Sequence, residues 1–283
     1  IDQGREREFV LTIMEQPSNA GGAYVPLLDL CKQAGLPVAG IIRNTSGEAI
    51  DRFDNKLILL SQRLPGKHVY NPTLSQVASL GRFIARFHLA TQGWEHPVPD
   101  YPRTAPWLSH QAALVRDHLP YLTRSLLADA VREVSHLLSR HDVADLPRGV
   151  IHGDLFRDNV LFNERGLTGV LDFHHAARGV LLYDLAVAAN DWCTDSTGLT
   201  NPDRATELLR AYHRIRPLTR SEIRLYPAFA LYGALAFWLS RLTVSIQRQK
   251  GKSVRTNNPE EFERIVAAHH AHFFYLDERL LDD

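Results

Sequence analysis

One short segment limits this chain more than any other. Residues 151–162 read Ile-His-Gly-Asp-Leu-Phe-Arg-Asp-Asn-Val-Leu-Phe, and Asp172 then follows Asn159 at a spacing of 13 residues, inside a Leu-Asp-Phe. Residues 149–151 and 160–161 read as short strands, 163–166 as a hairpin turn and 167–171 as another strand, so the polar side chains fall at element ends rather than within a helix. An Asx-rich turn whose carboxylates cap backbone amides would account for the first loop alone. It does not account for the hairpin and a second carboxylate directly after it, where spacing and expected elements agree.

A carboxylate, an amide five residues on and a second carboxylate opening an Asp-Phe turn have the spacing of parts used by protein-kinase-like phosphotransferases. The residue types suit that chemistry. A phosphoryl group in transfer is highly charged, so catalysis is positioning plus neutralisation by a divalent metal, with one group to orient the hydroxyl and accept its proton. Asp154 fits this last role. Asn159 and Asp172 supply the hard oxygen ligands that Mg²⁺ selects, and His152 is expected to pack beneath the loop as a structural support.

The rest of the chain narrows the partners. With 283 residues and 45% hydrophobic composition it can build a substantial core, in one large or two modest domains. Lys plus Arg equals Asp plus Glu at 32 each, interspersed, so no basic field points to nucleic acid or to a membrane surface. Cys31 and Cys193 lack metal-ligand spacing and read as buried free thiols of a reducing compartment, the cytoplasm. No run is read as a membrane span. Because Ile1 is not Met and residues 7–14 already read as a strand, the sequence is expected to start part-way through its first domain.

Along the chain the first 64 residues read as a small lobe. A strand at 7–14 precedes a helix at 20–35 and strands at 38–43 and 56–62, with a turn at 45–47. After Leu64-Pro65-Gly66 helices dominate, at 74–91, 107–118, 121–140, 181–192, 203–214, 221–250 and 259–280. Pro97, Pro99, Pro102 and Pro106 make residues 95–106 an extended loop. The expected fold class is therefore α+β and bilobal, protein-kinase-like. A small sheet-containing N-terminal lobe (1–64) is joined by a hinge at 61–64 to a large, mainly helical catalytic lobe (65–283). ATP would lie in the cleft, its adenine against Ser61, Gln62, Arg63 and Leu64.

The set His152, Asp154, Asn159, Asp172, Ala176, Gly179 and Asp184-Leu185-Ala186 resembles the aminoglycoside phosphotransferase and choline kinase superfamily. Leu80-Gly81-Arg82 through Phe87-His88 is similar to a helix common there. Residues 9–12, Gln62-Arg63-Leu64-Pro65-Gly66, 182–193 with Asn190-Asp191-Trp192-Cys193, and Phe237-Trp238-Leu239-Ser240-Arg241-Leu242 look most like the homoserine kinases of threonine biosynthesis. The resemblance implies ATP and Mg²⁺, phosphorylation of a small amino alcohol, and a loop-bracing role for Asp184. Thr12 stands where many relatives carry a phosphate-holding Lys, the following helix offers no Glu for such a Lys, and the hairpin that covers phosphates would lie before Ile1.

An acceptor carrying an ammonium, a carboxylate and a hydroxyl needs an acid and a bidentate base near Asp154. Arg241, on an apolar helix, is the candidate for the carboxylate, with structural pairing as its alternative. Asp191, beside Trp192, is the candidate for the ammonium. His174 and His175 are not expected to form a metal site, for want of a third ligand. Tyr226, Tyr232, Phe237 and Trp238 read either as core packing or as a cage for a quaternary ammonium. Two other readings stay open. One is a kinase of the same fold acting on choline, an aminoglycoside or another amino alcohol; the other is an inactive kinase-like module. Assembly as a homodimer is also left open.

Overall fold

In the computed structural model, which describes residues 8–14, 21–54, 56–249, 258–272 and 274–277, the small lobe is organised by one strand. That strand is β4 (Lys56–Gln62). β1 (Phe9–Met14) runs antiparallel along one edge of it, Phe9 opposite Gln62, while β2 (Ile41–Ile42) and β3 (Ile50–Phe53) share the other. α1 (Gly21–Gln33) buries Leu27, Leu28 and Cys31 and stops at Gly35, whose φ of +71° suits a residue without Cβ. Val38 bridges Val170 of the other lobe, and the α1 residues join one apolar core with Phe87 and Phe173. The two lobes therefore share buried surface, and α1 rests on the large lobe.

The large lobe comprises α2 (Leu74–Ala90), α3 (Ala105–Val115), α4 (Tyr121–Leu138), α5 (His141–Ala144), β5 (Arg148–Ile151), β6 (Val160–Asn163), β7 (Gly166–Val170), β8 (Ala177–Val180), α6 (Leu182–Trp192), α7 (Pro202–His213), α8 (Arg220–Gln249) and α9 (Pro259–Ala271). α2 begins in a reciprocal cap in which Thr73 and Gln76 satisfy each other's backbone amides. Its Gly81 lets α7 approach closely: a Cβ there would come 2.4 Å from the Leu208 carbonyl oxygen. Two antiparallel ribbons, β5 with β8 and β6 with β7, carry the polar loop between them.

Several expectations change. The strand at 38–43 contracts to Ile41–Ile42, and β3 and β8, too short to show periodicity, were not anticipated. The last helix ends at Ala271 rather than 280, although residues 278–280, like Ala20, Arg7 and Lys250 of other expected elements, lie outside the described residues. Residues 220–247 of α8 are long and apolar enough to cross a membrane, with mean hydropathy 1.4 over the best window, which corrects the reading that no run is. Of that window 67% is buried, against α3, α4, α6 and α9, so the apolar surface serves the core.

Candidate active site

The loop after β5 is held by a carboxylate from α6. Asp184 accepts the backbone amides of His152 and Gly153, each at 2.8 Å. Its Oδ2 also lies 3.1 Å from His88 Nε2, and His88 Nδ1 lies 2.8 Å from the Tyr212 hydroxyl. All of these groups are buried. Helices α2, α6 and α7 thus converge on two amides, and the Gly153 φ of +76° turns the chain outward immediately before Asp154.

His152 ties this loop to the second ribbon. Its Nδ1 accepts the Asp154 amide at 3.3 Å, which leaves Nε2 to donate to the Leu171 carbonyl at 2.9 Å, and Phe173 packs edge-on against the ring. The Leu171 amide in turn donates to the Asn159 carbonyl at 2.8 Å. One imidazole therefore spaces Asp154 from Asp172.

The Asn159 side-chain amide donates to both the carbonyl (2.7 Å) and the carboxylate (2.9 Å) of Asp154, so its Oδ1 is the atom left to meet a cation. Asp172 adopts the left-handed region at φ 59°, ψ 58°, and its Oδ1 is buried with no hydrogen-bond partner. A strained residue presenting a bare carboxylate oxygen is what a divalent cation would satisfy. Ligand atoms of Asp154, Asp172 and His175 lie within 4.8 Å of one another, which corrects the expectation that His175 lacks companions. Burial is the main influence on Asp154 and pushes its pKa up, helped by the Asp172 charge and opposed by His175, His152 and Arg103.

A cavity of about 750 Å³ opens between the lobes. It is lined by Thr12, Tyr24, Leu28, Ser61, Gln62, Arg63, Leu64 and Asp172, among others, so the hinge segment and one candidate metal ligand face the same space. The Gln62 and Arg63 amides already donate to Gly40 and Glu8. Tyr24 stands in α1, where the sequence offers no Glu. Its phenol is pushed up to about 12, mainly by burial and secondarily by the Asp172 charge.

The acceptor residues expected from sequence lie elsewhere. Arg241 already has an anionic partner, Glu261 at 2.5 Å, and its guanidinium covers the Phe262 ring at 4.4 Å. Both Asp191 oxygens are taken by Arg157, at 3.0 and 3.1 Å, and the Arg157 amide adds a third bond at 2.6 Å. Trp192 is fully buried and donates to the Leu155 carbonyl at 3.1 Å, supporting the loop from beneath. Arg241 and Asp191 line a separate hollow of about 340 Å³ with Arg157 and Glu261. These four side chains make an internal network. Sequence reasoning also passed over Arg103, in the proline-rich segment, whose charge acts on Asp154. A cation hemmed by prolines and followed by Trp107 was the available signal.

Comparison with known proteins shows the family and the fold. The model of the phosphotransferase enzyme family matches residues 1–218. A homoserine kinase of Pseudomonas aeruginosa (strain LESB58) is 39% identical over 261 residues, covering 92% of this chain and 81% of that protein. A homoserine kinase of Polaromonas naphthalenivorans is 34% identical over 280 residues, covering 97% and 86%. Among solved structures, an amicoumacin kinase in complex with AMP-PNP, Ca²⁺ and Ami superposes with a TM-score of 0.68 at 13% identity, covering 93% of this chain and 81% of that one.

Proposed function

Because the chain belongs to the phosphotransferase enzyme family, and within it to the homoserine kinases, we propose that it transfers the terminal phosphoryl group of ATP to the hydroxyl of L-homoserine. The product is O-phospho-L-homoserine, for threonine biosynthesis. Asp154 orients the acceptor hydroxyl and takes its proton as the oxygen attacks the γ-phosphorus and ADP leaves. Asn159 and Asp172 hold Mg²⁺, which when bound neutralises charge on the phosphates. The bare, buried Oδ1 of Asp172, set through His152 against Asp154, carries this reading.

ATP occupies the interlobe cavity with its adenine along Ser61, Gln62, Arg63 and Leu64. With the Gln62 and Arg63 amides engaged in the protein, the purine edge would use linker carbonyls or the Leu64 amide. Cys31 and Cys193 are buried free thiols, in keeping with a cytoplasmic enzyme. The test is an ADP-release screen with homoserine, choline, ethanolamine, methylthioribose and kanamycin, using Asp154→Asn as the blank. Homoserine should be preferred at least about tenfold in kcat/KM. Dominance by any other acceptor would overturn the assignment.

A further inference from the structure

The segment 99–104 is built into the catalytic ribbon. The Arg178 amide of β8 donates to the Pro99 carbonyl at 2.8 Å, and the Tyr101 amide donates back to the Arg178 carbonyl at 3.0 Å. Because β8 pairs with β5, this segment extends the ribbon whose end leads into Asp154. Tyr101 lies against the loop itself, its ring edge 3.4 Å from where a Gly153 Cβ would stand. Pro102 fixes one side of Arg103, and the Tyr232 hydroxyl donates to the Arg103 carbonyl at 2.6 Å. The backbone of Arg103 is held from both sides.

Its side chain is held as firmly. The guanidinium lies over the Phe237 ring at 4.0 Å, with the Trp107 ring at 5.8 Å, and shares a hydrogen bond with Tyr183. Tyr183 in turn accepts from Tyr101 at 2.5 Å. Stacking on aromatic faces fixes the guanidinium plane and leaves its edge for a ligand. That edge is only partly satisfied. Arg103 Nη1 is buried without a hydrogen-bond partner, and among the described residues no carboxylate lies within ion-pair distance of it. Burial keeps the surrounding phenols of Tyr101, Tyr183 and Tyr232 protonated, so none supplies an opposing charge. A buried cationic donor left unpaired is costly, and an anionic ligand removes the cost.

We infer that Arg103 is the residue that binds the carboxylate of the amino-acid acceptor, through the edge of the guanidinium fork that carries its unpaired Nη1. This rests on the reading of the site as a homoserine kinase and assigns the group that distinguishes homoserine from other amino alcohols. In homoserine three carbons separate the hydroxyl from the carboxylate, and Arg103 is near enough for its charge to act on Asp154, so the proposal sets the hydroxyl at Asp154 and the carboxylate at Arg103. Arg103 does not line the interlobe cavity assigned to ATP. A fixed cation facing the acceptor also repels choline and aminoglycosides, whose charge has the same sign.

The experiment compares L-homoserine with 3-amino-1-propanol, which keeps hydroxyl and amine but lacks the carboxylate, for the wild-type protein, Arg103→Lys and Arg103→Gln. Wild type should prefer homoserine by about 100-fold or more in kcat/KM. Arg103→Lys keeps the charge and loses the fork. It should raise the homoserine KM about 10- to 100-fold, leave the ATP KM within about twofold and lower the preference for homoserine over 3-amino-1-propanol in kcat/KM by about tenfold or more. An unchanged homoserine KM, an equal loss on both acceptors or a rise in the ATP KM alone would overturn the inference. Wild-type preference needs no variant to fold, so equal use of the two acceptors would overturn it as well. Calorimetric titration of homoserine into each protein with a non-hydrolysable ATP analogue separates the two ideas. Binding that weakens in the variants supports Arg103 even if wild-type turnover of homoserine is absent, which would refute the reaction alone; binding insensitive to Arg103 refutes the inference alone.

Discussion

The side-chain amide of Asn159 sits 2.9 Å from the carboxylate of Asp154, donating to it and to the Asp154 carbonyl together. The orientation is chemically required, since only the NH₂ end can face a carboxylate. Asp154 is thereby aimed before any ligand arrives, and Asp154→Asn would place two amides face to face. Turnover should fall by about 10²- to 10⁴-fold while ATP binding persists. Calorimetric ATP titration beside a coupled assay checks this, and near-normal turnover in a folded variant would remove Asp154 from the reaction.

Acidity should show the same group. Burial raises the Asp154 pKa, and the proton acceptor must be ionised, so the acid limb of the kcat profile should lie above that of an ordinary Asp, near 4. Activity should fall as pH drops through that raised value. A profile flat down to pH about 4 would contradict it.

Asp172 couples function to strain. Asn tolerates the left-handed backbone and carries no charge, so Asp172→Asn should raise the melting temperature by a few degrees while lowering Mg²⁺-dependent turnover by about 10²-fold. Asn159→Ala should shift the Mg²⁺ titration midpoint upward about tenfold, and chelation should silence the wild type. Unchanged Mg²⁺ dependence in both variants would place the metal elsewhere.

Removing the Asp184 carboxylate strands two loop amides and the His88 ring in the interior. Asp184→Ala should cost about 3–5 kcal/mol in urea unfolding, with activity lost in step with folding. A loss under about 1 kcal/mol would show that the loop holds itself.

Arg241 should behave as a structural residue. Arg241→Lys should leave the homoserine KM within about twofold, and a double-mutant cycle with Glu261→Gln should give a coupling of about 1 kcal/mol, modest because Glu261 is 42% exposed. A tenfold rise in homoserine KM would return Arg241 to the substrate.

His269 predicts a stability slope. Burial lowers its pKa to about 4 from the ordinary 6.5, with Nε2 2.8 Å from Asn190 Oδ1. Between these values the unfolded chain binds a proton that the folded chain refuses, so stability should fall as pH drops from about 6.5 towards 4, by up to about 1.4 kcal/mol per pH unit. His269→Gln should flatten that interval in denaturant midpoints measured against pH.

What the sequence determined by itself is the unit from Ile151 to Asp172, together with the long helices. Asp154, Asn159 and Asp172 are joined by one loop and one hairpin, so local turn geometry and strand alternation limit where those side chains can fall. The helices announce themselves through apolar spacing, caps and Gly stops, as α2 does with Thr73 and Gln76. Short strands such as β3 and β8 gave no such signal, because four residues cannot display a period, and β8 pairs with β5, which is distant in sequence. The surroundings of Arg241 and Arg103 were set by tertiary structure alone. Arg241 and Arg103 are both guanidinium groups near aromatic residues, and sequence favoured the first because it interrupts an apolar helix. Only the packing of α9 on α8 brings Glu261 to Arg241, and only the pairing of residues 99–101 with β8 carries Arg103 to Asp154 with an N–H unpaired. Whether a buried charge is a strut or a binding group depends on what the fold sets opposite it, and that partner lies outside the reach of any local pattern.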